Sequence, residues 1–138
     1  MKQTLIFLPM AVLALWTLNV LTLVPLRRIQ AGRKGLVTTE DFRLGESAAV
    51  PDDVRLPNRV FMNLLEVPVL FYFACVVSYL VQRVDSGMLW LAGIYVALRV
   101  AHTLIYFGYN HVGHRALVFG TSNVVVSVMW IRLLLALI

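Results

Sequence analysis

Residues Gly87 to Tyr109 read GMLWLAGIYVALRVAHTLIYFGY. The run is long enough to cross a bilayer, whose ~30 Å hydrocarbon core takes about 20 helical residues. It nevertheless carries Arg99 and His102 near its middle. At about 100° per helical residue, Tyr95, Arg99, His102, Tyr106 and Tyr109 fall within an arc of roughly 80°. Gly93, Ala97 and Ala101 lie on the opposite side at small-xxx-small spacing. An arginine left unpaired in hydrocarbon costs at least about 2.5–3.5 kcal/mol on insertion scales. The polar stripe must therefore face a bundle interior, a partner subunit or a bound polar ligand. The small-residue stripe reads as a close-packing surface.

The rest of the chain has the same character. It is 60% hydrophobic and 14% charged over 138 residues, where a soluble domain is nearer a quarter charged. The apolar residues fall into four blocks, which predict helices at about 4–26, 58–82, 88–109 and 115–138. The expected fold is all-α, an integral membrane four-helix bundle forming a single domain over residues 1–138. The apolar stretch from Leu5 to Leu26 is too long for a signal-peptide core, and no clear small-x-small cleavage site follows it. It reads as a retained first helix. Pro68 predicts a kink in the second helix, with a neighbouring helix re-satisfying the freed carbonyl. Short connections at Val84–Ser86 and Asn110–His114 make helices two, three and four sequential antiparallel neighbours.

The connection from Arg27 to Pro57 is long for a loop. It holds Arg27, Arg28, Arg33, Lys34, Arg43 and Arg55 together with Glu40, Asp41, Glu46, Asp52 and Asp53. It is expected to lie on the membrane surface. Its basic start reads either as a positive-inside anchor or as an anion-binding rim. With Arg115, this side outweighs the other, which has Lys2 and Arg83 with Arg132 near the last helix end. The long loop is therefore placed in the cytoplasm and both termini outside it. The net charge of +5 sits beside membrane segments and forms no basic, aromatic-interleaved surface for nucleic acid. Cys75 is the only cysteine, so no intrachain disulfide and no thiolate metal site can form. His111 and His114 lack a companion ligand, and no metal is expected.

Two further constellations carry polar chemistry. Arg59, Asn63 and Glu66 open helix two at i, i+4, i+7, within an arc of about 60°. A carboxylate one to two turns inside an apolar helix needs a cation or a proton. Arg99 is the candidate partner, and a buried Glu66–Arg99 pair would fix the bundle. Asn63, His102 and Tyr106 add donors and acceptors beyond what one pair needs. Helix four opens with Arg115, which could either snorkel to headgroups or serve a ligand. Thr121 and Ser122 read as interhelical glue.

Arg59-x-x-x-Asn63-x-x-Glu66, then Arg99-Val100-Ala101-His102-Thr103-x-x-Tyr106, then Arg115 opening helix four, resembles the MAPEG family (membrane-associated proteins in eicosanoid and glutathione metabolism). The likeness runs from about Arg55 to the C-terminus. It implies a left-handed four-helix bundle assembled as a homotrimer, with glutathione as cosubstrate bound between subunits near the cytoplasmic side. By motif position, Arg59, Asn63, Glu66, His102 and Tyr106 would contact glutathione, and Arg99 would be a structural partner of Glu66. Arg115 matches the arginine that holds the glutathione thiolate in several family enzymes. Arg27 or Arg28 matches a ligand-contacting arginine before the first loop, and Thr39-Glu40-Asp41 resembles that loop's Pro-Glu-Asp tract. Met62, Ala116 and Phe119 depart from polar residues of the prostaglandin E synthase branch, which argues against that isomerase activity. The segment Asn63 to Tyr72 is similar to bacterial members, which implies a bacterial inner membrane. Two functions follow from the resemblance. One is a glutathione-dependent transferase or peroxidase acting on lipophilic electrophiles delivered by the lipid. The other is a non-catalytic binding or regulatory subunit on the same scaffold. A transporter would show broken helices and inverted repeats, and neither is visible.

Overall fold

A computed structural model of the chain describes residues 2–138. Among the described residues the architecture is all helical. A 3-10 turn at Gln3–Ile6 leads into α1, Phe7–Arg33. The second span, where the sequence predicts a kink at Pro68 but no broken helix, is in fact broken into α2, Asp52–Leu65, and α3, Pro68–Leu80. The third is α4, Ser86–Phe107, and the fourth α5, Val112–Leu137. Four spans are thus long and apolar enough to cross a membrane. Leu8, Leu15, Leu18, Leu134 and Leu135 stand exposed on their outer faces, as lipid-facing residues do. The chain is an integral multi-pass membrane protein.

α1 packs against α2 and α4, α4 against α5, and α3 against α5. The interior is filled by Leu13, Leu64, Phe71, Tyr95, Met129 and Leu133. Phe71 and Tyr95 stack with ring centroids 4.5 Å apart. The polar stripe of α4 does turn inward: Tyr95, Arg99, His102 and Tyr106 are all buried. Tyr109 does not follow them and is exposed just beyond the helix end. Gly93 and Ala97 of the small-residue stripe are exposed, so no helix of the same chain packs closely on them.

Three boundaries differ from the sequence expectation. α1 continues past Leu26 to Arg33, because Ala31 packs with Val37, Val50 and Val54 in a second small core. Helix two starts at Asp52 rather than at residue 58. Asp52 and Asp53 favour the positive end of the helix dipole there, and Pro57 sits inside the helix instead of ending the loop. The connection is therefore Lys34 to Pro51, shorter than Arg27 to Pro57. α5 starts at Val112 rather than 115, with His111 as its cap.

That connection is ordered by side chains. Thr38 and Asp41 form a capping box around the 3-10 turn Thr39–Phe42. Arg55 donates through Nε to the Val50 carbonyl and through Nη2 to the Ala48 carbonyl, both at 2.6 Å. The chain turns through Gly35 and Gly45, at φ of 70° and 108°, a region closed to most side chains. At the opposite end of the bundle, Gln3 bonds both the N–H and the carbonyl of Val84, at 2.9 and 3.2 Å. Arg132 pairs with Asp85 at 2.6 Å, and Asp85 also caps α4 through the Met88 N–H.

Candidate functional site

The break between α2 and α3 positions the centre of the site. Pro68 has no N–H to give the preceding turn, and Glu66 adopts φ −73°, ψ −92°, which ends α2. The interruption frees backbone carbonyls inside a membrane span, where each must find a donor. Arg99 supplies one. Its Nη2 donates to the Asn63 carbonyl at 2.6 Å. The carbonyl served from α4 is thus that of Asn63, one residue before the Leu64 carbonyl that the missing Pro68 N–H leaves without its helical donor.

The expected Glu66–Arg99 ion pair is not formed. Among the described residues no ion pair joins them within 4.0 Å. Glu66 is exposed on α2, whereas Arg99 is completely buried. The kink explains the difference: it turns the end of α2 so that a carbonyl, not the carboxylate, reaches the guanidinium. Arg99 lies 5.3 Å from the Phe119 ring centre, a cation–π distance. Its Nε and Nη1 are buried without a hydrogen-bond partner.

One turn on, α4 and α5 form a small cleft near the end of the bundle that carries the Lys34–Pro51 connection. Asn63, His102, Val112, Arg115, Ala116 and Phe119 line about 210 Å³. His102 is buried, with Tyr106 and Phe119 each 5.8 Å away, centroid to centroid. Asn63 donates its side-chain amide to the Arg59 carbonyl at 3.2 Å, which leaves its oxygen free to accept.

Arg115 is held from two sides. Its guanidinium lies 3.6 Å from the Tyr106 ring centre, and its Nη1 donates to Asn110 Oδ1 at 2.7 Å. Asn110 can reach it because it sits at φ 49°, a conformation asparagine tolerates better than most residues. Arg115 Nε is buried and unpartnered. The side chain is therefore a preset cation at the cleft, not one that simply extends toward headgroups.

Of the residues singled out by sequence, Asn63, His102, Tyr106 and Arg115 come together here. Arg99 lies behind them and joins α4 to α2. Arg59 and Met62 are exposed on the outer face of α2, and Glu66 is exposed just past its end. Arg28 is engaged elsewhere: it pairs with Glu46 at 3.0 Å and stacks on Phe42 at 4.5 Å, fastening the loop to α1. None of its polar contacts involves the cleft. His111 and His114 form the α5 cap with Tyr109, whose hydroxyl is 3.0 Å from His114 Nδ1. No cluster of three metal-ligating side chains occurs among the described residues. Asn110 was not singled out by sequence. Its signal was an asparagine in a short helix–helix connection five residues before the helix-four arginine.

The cleft is open along the bundle flank. Its volume of about 210 Å³ is below the roughly 300–1,000 Å³ of typical ligand pockets. Comparison with known proteins gives one match: the sequence model of the MAPEG family fits residues 6–135. No curated protein and no solved structure matches the chain.

Proposed function

This chain belongs to the MAPEG family, and on that premise we propose that it is a glutathione-dependent membrane transferase or peroxidase for lipophilic electrophiles. The observation that carries the reading is Arg115, fixed over Tyr106 and tied to Asn110 at the cleft. A cation placed this way lowers the pKa of a nearby thiol by favouring the thiolate. The guanidinium's fixed fork suits that task better than a mobile ammonium. Asn63 and His102 offer neutral polar groups for the peptide part of the tripeptide, and Arg59 offers a cation for one of its carboxylates. Glutathione supplies the sulfur, so no side chain need act as nucleophile. The acceptor reaches the cleft from the lipid.

The small cleft favours a site completed by a second copy. Arg59 and Glu66 also stand on an outer face of a membrane span, where uncovered charge is costly. We therefore place the site between subunits of a homotrimer. The Lys34–Pro51 loop and Asn110 are assigned to the cytoplasmic side by the excess of Lys and Arg. The departures at Met62, Ala116 and Phe119 favour one competing reading, a non-catalytic binding or regulatory subunit. Equilibrium dialysis of glutathione against the purified protein, followed by turnover of a generic aromatic electrophile, separates the readings. Saturable binding with turnover supports the enzyme. Binding without turnover, or no saturable binding, removes the enzyme and leaves the binding or regulatory subunit.

A further inference from the structure

A second cavity lies at the other end of the bundle from Arg115. It is a lateral groove of about 600 Å³ between the starts of α1 and α4, lined among others by Leu5, Leu8, Val12, Trp90, Gly93 and Val96. Gly93 has open space where a Cβ would stand, which deepens the groove. From Ser86 to Val96 the wall rises on the order of 15 Å at 1.5 Å per residue. That is roughly half of a ~30 Å hydrocarbon core, the depth of one leaflet. Trp90 is 73% exposed at the groove, less than two turns from the helix start, in keeping with the aromatic belts of membrane interfaces.

Two cations adjoin the groove in sequence: Lys2 stands three residues before Leu5 and Arg83 three before Ser86, and both Leu5 and Ser86 line it. The double hydrogen bond between Gln3 and Val84 brings the two chain segments together. Lys2 and Arg83 are the sequence neighbours of this junction, both are exposed, and neither makes an ion pair among the described residues. The acid beside them, Asp85, is already taken by Arg132. The remaining acidic residues lie in the Lys34–Pro51 connection, on α2, or, for Glu66, just past the end of α2. A second copy laid over the groove would bring no free Asp or Glu side chain from its own corresponding end to Lys2 and Arg83.

We propose that this groove holds one acyl chain of an anionic phospholipid, whose phosphate headgroup is met by Lys2 and Arg83. The apolar wall takes the chain, and the two cations select the headgroup by charge. The site is separate from the cleft at Arg115 and does not depend on the glutathione reading.

The test uses Trp90 as reporter in the full chain, with Trp16→Phe and Trp130→Phe removing the other indoles. The protein is reconstituted into phosphatidylcholine vesicles doped with lipid brominated on one acyl chain, as phosphatidylglycerol or as phosphatidylcholine. Brominated phosphatidylglycerol should quench Trp90 at lower mole fraction, by a factor of about five for each basic residue engaged. Lys2→Gln with Arg83→Gln should abolish that preference while leaving quenching by both lipids. Gly93→Leu should fill the groove and reduce quenching by both, with Gly93→Ala as the milder variant and helicity by circular dichroism as the folding control. Equal quenching by the two headgroups in the unsubstituted site would overturn the proposal. So would absence of quenching by either, which would mean that a second copy covers the groove.

Discussion

Arg99 and Glu66 offer a quantitative test of how the bundle is held. Arg99→Met keeps length and apolar volume but removes the donor to the Asn63 carbonyl, bonded at 2.6 Å. A buried carbonyl left unsatisfied costs about 1–3 kcal/mol. Glu66 is exposed, and Glu66→Gln alone should stay within about 0.5 kcal/mol. The decisive quantity is the coupling between the two, since costs particular to each substitution cancel in a double-mutant cycle. Because no Glu66 oxygen is paired with Arg99 within 4.0 Å, the coupling should fall below about 1 kcal/mol, as for exposed ion pairs. A true buried pair would lose about 3–5 kcal/mol when one partner is removed, and much of that would return in the double variant. Reversible unfolding in mixed micelles of mild detergent and dodecyl sulfate, followed by circular dichroism, gives the four free energies. A coupling of about 3 kcal/mol or more would show that the pair forms in the membrane and that the Asn63 carbonyl is not the partner that matters.

Other outcomes follow from single contacts. Asn110→Gly keeps the positive φ but frees Arg115 Nη1, so glutathione affinity should weaken roughly 2- to 10-fold, the worth of one net hydrogen bond, by equilibrium dialysis. The loop should respond to acid through Asp41. Its carboxylate accepts from the Thr38 N–H, the Ser47 hydroxyl and the Thr38 hydroxyl, which hold its pKa below the ordinary 3.8. A depressed folded pKa gives stability that is present above the unfolded pKa and lost as pH falls through the folded one. Limited proteolysis between Lys34 and Pro51 by an acid-active protease should therefore stay slow at pH 5 and accelerate only below about pH 4. Asp41→Asn should be cleaved quickly at both.

The four spans were legible because hydropathy and length alone constrain a membrane helix. The inward stripe of α4 was legible because an arginine and a histidine in an apolar helix leave few options. The grouping of Asn63, His102 and Tyr106 with Arg115 came from the family resemblance and not from periodicity; Asn63, His102 and Arg115 line the cleft and Tyr106 lies against Arg115, whereas Arg59 and Glu66 of the same set stand exposed outside it. What sequence could not give was the orientation of the α2 end. Pro68 announced a kink, but its direction depends on how α3 packs against α5, and that direction exchanges the Glu66 carboxylate for the Asn63 carbonyl at Arg99. The ends of α1 and α2 were misplaced for a related reason. Arg27 and Arg28 look like the finish of a membrane helix, yet Ala31, Val37, Val50 and Val54 form a small core outside the hydrocarbon that keeps both helices running. Arg28 read as a ligand contact by motif position, whereas Glu46 and Phe42 engage it through loop packing that no local pattern encodes.

The thiolate absorbance of bound glutathione, titrated against pH in the ultraviolet, bears most directly on Arg115. The wild-type protein should show the thiolate band near neutral pH, well below the ordinary thiol pKa of about 8.5. Arg115→Lys should weaken the band and Arg115→Leu should abolish it, both with unchanged helicity and turnover falling in the same order. A thiolate band that persists undiminished in the leucine variant would contradict the assignment and move the role to Arg59 or to the arginines of the loop.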